Sequence, residues 1–257
     1  MRLLIIILLF SFFSIDVLSQ EQNINIPWFP GEELKYSFGW GVLSLGRAEI
    51  SFDTDHKNCE TYIVASAKSS GFARFLKDIQ YSFETCVQGN KGLPYSSARK
   101  VVEGSFHDYD IAYYYHDIRE DSSIVYTKEL DSVVVEKDIK DIITGFFFFR
   151  SNIVMSDLND YKIDTITTFF IDSVWNLVIK YGGVETINTI HGPVECLKFY
   201  PETEVGSYFS EKDDMTLWIS NDSRRIPYKI YVDLKVGSIT AELQSYTPPK
   251  TSKVKKH

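Results

Sequence analysis

The chain has 257 residues, 44% of them hydrophobic and 24% charged, a globular balance that excludes wholesale disorder and fibrous repeats. A net charge of −8 repels phosphate backbones and speaks against a nucleic-acid partner. Strand-rich chains of this length commonly fold as one domain, and the 15% aromatic share suits strands.

In chain order, Arg2 precedes the apolar run Leu3–Phe13, and Val17-Leu18-Ser19 follows it. Residues 1–20 read as a signal peptide, with a single N-terminal anchor as the alternative, because the run is short of the ~18 apolar residues of a span. No cysteine follows the run, so it carries no lipoprotein cleavage site. The expected location is outside the cytoplasm, in the periplasm or cell envelope. Residues 21–247 are expected to form a single β-rich domain. Residues 248–257, with Pro248-Pro249 and then Lys250, Lys253, Lys255 and Lys256, are expected to be a basic flexible tail.

From Leu34 the pattern alternates, with Leu34, Tyr36, Phe38 and Trp40 on one face of a strand and Lys35, Ser37 and Gly39 on the other. Further strands are predicted near 47–52, 62–68, 79–88, 95–103, 106–116, 123–128 and 132–136. They resume at 165–171, 174–181, 184–190, 194–200, 214–220, 226–234 and 237–246. Turn clusters such as Gly89-Asn90-Lys91-Gly92, Gly182-Gly183 and Gly192-Pro193 separate them. Phe72–Leu76, after Gly71, suggests a short helix. Ile139, Ile142, Ile143, Phe146 and Phe149 recur at steps of three and four, which predicts a helix over 139–150 that is apolar nearly all round and must be buried. A strand is the competing reading, since Phe favours strands. The fold class expected is mainly β (α+β): a large antiparallel, curved or partly closed, barrel-like sheet with one or two short helices packed on it.

Motifs that carry chemistry are scarce. Gly41-Val-Leu-Ser44-Leu-Gly46 has the wrong spacing for a nucleophile elbow, and phosphate-loop and dinucleotide fingerprints are missing. No metal-ligand spacing links His56, His107, His116, His191 and His257. Asp108, Asp110 and His116 share one strand face. They read as the solvated side of a strand whose apolar side is Tyr109, Ile111, Tyr113 and Tyr115, with an acid/base or cation site as the alternative. No enzyme, cofactor or metal is therefore expected.

Cys59 and Cys86 flank a predicted antiparallel pair and are expected to bridge, leaving Cys196 as a lone thiol. Arg224 and Arg225 follow the turn Asn221-Asp222-Ser223 and are candidates to clamp an anion, or simply to close a hairpin. The abundant aromatics are explained either by an apolar cavity or by large packed sheets. The candidate ligand-binding residues are Tyr36, Trp40, Phe146, Phe149, Arg150, Trp218 and Arg225. Phe146, Phe149 and Trp218 are expected to share one interior under the 139–150 helix.

Pro30-Gly31-Glu32-x-Leu34-x-Tyr36 with Gly46-x-Ala48, then Thr144-x-Phe146-Phe147-Phe148-Phe149-Arg150, and later Gly192-Pro193-Val194-x-Cys196 and Trp218-Ile-Ser-Asn-Asp222 with Arg225-Ile226-Pro227, resemble the bacterial, exported domain-of-unknown-function 3108 family. The resemblance spans about residues 27–246. It implies an exported, mostly β protein and supplies no catalytic residues. The layout is also similar to that of periplasmic lipoprotein carriers, by analogy alone. Three functions compete: binding of a lipid or other apolar small molecule, a structural module that joins an envelope protein partner, and, last, a hydrolase.

Overall fold

The computed structural model describes residues 29–250 except 55, 57–58, 90, 155–157, 159–162 and 203–214. The predicted signal peptide and most of the predicted tail lie outside the described residues.

Among the described residues, fifteen strands and two helices follow in order. They are β1 Glu33–Trp40, β2 Leu43–Asp53, β3 Thr61–Ser69, α1 Gly71–Leu76, β4 Ile79–Gln88, β5 Leu93–Glu103, β6 Phe106–Tyr115, β7 Ser122–Thr127 and β8 Asp131–Glu136. Then come β9 Lys140–Asp141, α2 Ile142–Ser151, β10 Ile163–Phe170, β11 Ser173–Thr189, β12 Gly192–Pro201, β13 Met215–Ser220, β14 Pro227–Asp233 and β15 Ser238–Thr247. All fifteen strands form one sheet, in the order β8 to β1, then β15 down to β9. Two antiparallel meanders thus meet at β1 and β15, where Phe38 lies opposite Ala241 and Trp40 opposite Ile239, and the short β9 adds to β10 in parallel. The sheet is not closed by hydrogen bonds. Its free edges, β8 and β9, are joined by one short connection and drawn together by packing of Ala112, Tyr114, Val125 and Val135 against Ile139 and Phe169.

α2 lies inside this curved sheet and holds its two halves together. Phe149 packs with Ile166, Ile179, Leu197, Phe199, Leu217 and Ile219 of the second meander. Phe147 and Ile143 pack with Phe52, Ile63 and Val87 of the first. A helix apolar on most sides needs such double burial.

Several expectations are corrected. The helix begins at Ile142 instead of residue 139, because Asp141 caps it. The Asp141 carboxylate accepts from the Thr144 N–H at 2.6 Å, and the Asp141 N–H donates to Thr144 Oγ1 at 3.0 Å, a reciprocal cap that ends the short strand β9. The two strands predicted at 174–181 and 184–190 are one seventeen-residue strand, β11, which absorbs Gly182-Gly183 as a shift of register. Of the predicted tail only residues 248–250 are described, and there the Lys250 N–H donates to the Pro30 carbonyl at 2.8 Å.

The faces of β6 are the reverse of those expected. Ala112 and Tyr114 are buried, whereas Tyr109 and Tyr115 face solvent. The inward Asp108 and Asp110 are tolerated because Arg99 of β5 pairs with both, and the Tyr114 hydroxyl meets Ser97 Oγ at 2.9 Å. Cys59 and Cys86 form a disulfide with Cα atoms 5.3 Å apart, at the end of the β3–β4 pair where Tyr62 opposes Cys86. Cys196 is a free, fully buried thiol, and burial raises its pKa to about 12.

Candidate functional site

Side chains on the inner face of a strand recur every second residue. On β3, Ile63 and Ala65 pack against α2, while Ala67 and Ser69, on the same face, do not. On β4, Phe83 and Val87 meet the helix, while Ile79 and Tyr81 do not. A ten-residue helix spans ~15 Å, about half of the ~33 Å of a ten-residue strand such as β4. α2 therefore fills one half of the interior and leaves the rest of the inner face uncovered.

The uncovered half is an apolar groove of about 570 Å³, within the size range of small-molecule sites. Its walls are Phe38 of β1, Leu45 of β2, Ile79 and Tyr81 of β4, Ile230 and Val232 of β14, and Ile239 and Ala241 of β15, with Ala73 and Leu76 of α1 along one side. These wall residues of the strands are all half-buried, unlike their neighbours under α2. Gly46 shapes the floor: a Cβ there would come within 2.4 Å of the Phe38 ring, so its absence lets that ring lie across β2. At the end of β15, Gly237 does the same for Trp40, whose indole nitrogen sits 1.8 Å from the place a Cβ would occupy.

Polar groups at the groove are engaged within the protein. Ser69 Oγ donates to the Lys77 carbonyl at 3.1 Å and accepts from the Ile79 N–H at 3.0 Å, which fastens the exit of α1 to β3. The Lys77 ammonium and the Tyr81 hydroxyl both reach the Glu103 carboxylate, and these bonds, Lys77 first, hold the Glu103 carboxyl below the usual range. This polar cluster stands at one side of the mouth, and the interior is apolar.

Two other hollows differ. The space beside α2, between Thr85, Ser97, Arg99, Asp110 and Asp141, is about 40 Å³. Asp141 there is fully committed as the helix cap and also accepts from Thr85 Oγ1 at 2.6 Å; burial raises its pKa. On the other face of β1–β3, a concavity of about 610 Å³ is lined by Lys35, Ser37, Arg47, Glu49, Ser66 and Lys68, an open polar sheet face without the apolar lining of a ligand site.

None of the candidate ligand-binding residues singled out from sequence lines the groove; Trp40 is exposed and pairs with the wall residue Ile239 across β1 and β15. Tyr36 is buried and donates to the Pro227 carbonyl at 2.8 Å. Phe146 and Phe149 belong to the filled half. Arg150 is fully buried, and its guanidinium makes a two-pronged pair with Glu32, at 2.6 and 2.8 Å. It also donates to the carbonyls of Arg225 and Arg224 at 2.7 and 2.9 Å, over the face of Phe29. It joins the end of α2 to the start of β1 and to the 221–226 turn. Trp218 does not share the interior of Phe149: Leu217 and Ile219 face the helix, so strand alternation turns Trp218 the other way, where its indole N–H donates to Glu185 at 3.2 Å. Arg225 stands in the turn with φ of 49°, and burial lowers its pKa. The wall residues Leu45, Ala67, Ile79, Ile230, Val232 and Ala241 were missed. Each except Leu45, which lies before the predicted start of β2 at 47, sits in a segment recognised as a strand from sequence, but periodicity identifies a buried face without saying which part of it a helix covers.

The class defined by this geometry is an open, β-barrel-like sheet wrapped around a helix, with an apolar groove left beside it. A family model described as protein of unknown function (DUF3108) matches residues 35–244; the chain belongs to this family. Among solved structures, the fold is similar to the crystal structure of a β-barrel-like protein of domain of unknown function DUF1849 from Brucella abortus. The TM-score is 0.57 at 10% identity, covering 86% of this chain and 98% of that one. At that identity the likeness concerns the fold alone. No curated protein matches the chain. Among the described residues, no helix is long and apolar enough to cross a membrane.

Proposed function

We propose that this protein is a non-enzymatic carrier, exported to the cell envelope, that holds one lipid or other elongated apolar molecule in the groove between α1 and strands β1–β4, β14 and β15. The observation that carries this reading is the lining. About 570 Å³ of open space is walled by aliphatic and aromatic side chains, and exposing that much apolar surface to water is costly unless something covers it. The committed Ser69 hydroxyl and the Lys77–Glu103–Tyr81 cluster support binding over chemistry: they form a polar side of the mouth where the head of an amphiphile would stand while its chain lies inside. The test is titration of the purified protein with a fluorescent long-chain fatty acid. Saturable binding of one molecule per chain is expected, competed by natural lipids. Absence of saturable binding would reject the carrier and favour a structural module.

A further inference from the structure

In an antiparallel meander every second turn falls at the same end of the sheet. The β1–β2, β3–β4, β5–β6 and β14–β15 turns therefore gather at one end, the end where the groove opens. Each presents large apolar side chains to solvent. Val42 and Leu43 are exposed in the first, Phe72 and Phe75 in the second at 73% and 85%, Phe106 in the third and Val236 in the fourth. α1 is built around this display, since none of its residues is buried, and the Phe72 and Phe75 rings stack at 6.4 Å. The opposite end is different: its turns carry residues such as Asp53, Thr54, Asp117, Asp121 and Asn221, with Ile118 and Ile190 standing singly.

We infer that this apolar rim is a docking surface for a phospholipid bilayer. The apolar groups sit on four separate projecting turns and not on one flat face, a form suited to a fluid partner that closes around each tip. The charges at this end are close to balance, with Arg74 paired to Asp78 and Lys77 to Glu103, so apolar contact and not charge carries the docking. The groove also opens here, and Leu76 belongs to both groove and rim, so a lipid would pass between bilayer and groove without crossing water.

The inference goes beyond the carrier reading and is tested separately from it. Phe75→Cys and Ile190→Cys proteins, with the Cys59–Cys86 bridge intact, are labelled with an environment-sensitive fluorophore and mixed with phosphatidylcholine vesicles. A several-fold rise in emission at position 75 and no change at position 190 are expected. Val42→Ser/Phe72→Ser introduced into the Phe75→Cys protein should cut vesicle affinity at least tenfold, since each side chain would lose burial in the bilayer. No rise at 75, an equal rise at both positions, or an unchanged affinity of the substituted protein would overturn the inference. A rise at 75 that depends on protein concentration in the absence of vesicles would also overturn it and assign the rim to a second copy of the chain. Fatty-acid titration without vesicles reports on the groove alone, so failure of either claim is legible without the other.

Discussion

The two halves of the interior share one sheet and one inner face, yet they are finished differently. Under α2, ten residues bring four phenylalanines, and Phe147, Phe149, Phe199 and Ile219 are buried to within a few per cent. Under α1, six residues bury nothing, and the wall stays half open. What separates the halves is anchoring as much as composition. α2 is fixed at its start by the Asp141–Thr144 cap and at its end by Arg150 on Glu32. α1 has no side-chain cap and is held at its exit through Ser69 and an Arg74–Asp78 pair at 3.3 Å. A filled, doubly anchored half gives the fold its stability. An unfilled, lightly held half is the part able to accept a ligand.

The comparison is broken most severely at Arg150. Arg150→Met leaves Glu32 buried without its partner and should cost roughly 3–5 kcal/mol, seen as a lower denaturant midpoint. Adding Glu32→Leu removes the stranded charge and should recover much of that loss. A single substitution with no cost would mean that α2 is not anchored there.

Next in size is a matched pair of truncations. Phe149→Ala empties the filled half and should cost roughly 3–5 kcal/mol. Leu76→Ala, at the groove, should change stability by no more than about 0.5 kcal/mol while weakening fatty-acid binding. Equal costs for the two would erase the distinction between core and groove.

The disulfide sits at the end of β3–β4 away from the groove mouth. Cys86→Ser should lower stability by roughly 3 kcal/mol, from the loop of 27 residues that the bridge closes, and leave fatty-acid affinity unchanged. Calorimetry and titration on the same sample report both.

The smallest expected effect is a pH dependence. The ring nitrogens of His116 lie 3.0 Å from Ser123 Oγ and 3.0 Å from the Pro94 carbonyl, and burial lowers its pKa. The unfolded chain takes up this proton near pH ~6.5, where the folded chain resists it. Stability contributed by neutral His116 is thus complete above that pH and is lost as pH falls through ~6.5 toward the lower folded value. His116→Gln should flatten that slope in urea midpoints measured between about pH 7.5 and 5.5. An unchanged slope would place the titration elsewhere.

Much of this fold was legible in the sequence. Alternation at Leu34–Trp40 and its repeats marks the strands because a half-covered sheet imposes period two. Steps of three and four over Ile142–Phe149 mark α2. Its start was also written there, since Asp141-x-x-Thr144 can form a reciprocal cap, yet the apolar Ile139 extended the pattern past it. The groove was less legible. Trp218 drew attention as a large aromatic, but its face depends on whether Leu217 or Trp218 meets the helix, a matter of tertiary register. Ala67 and Ala241 look unremarkable in sequence and acquire a role only when opposite walls meet. Asp108 and Asp110 read as solvent-facing because their partner, Arg99, lies on a neighbouring strand and cannot be paired with them from spacing alone.

The central claim is that the space beside α1 is a ligand site and not a packing defect. Ala67 lies on the groove wall, half-buried, between Ala48 and Tyr81 of the flanking strands. Ala67→Trp would fill the space with an indole, a side chain that strands accept. The decisive measurement is the affinity of this variant for a fluorescent long-chain fatty acid, read beside its thermal melting. The account predicts that affinity falls at least tenfold while the melting temperature stays the same or rises. Wild-type affinity in a normally folded Ala67→Trp protein would contradict it.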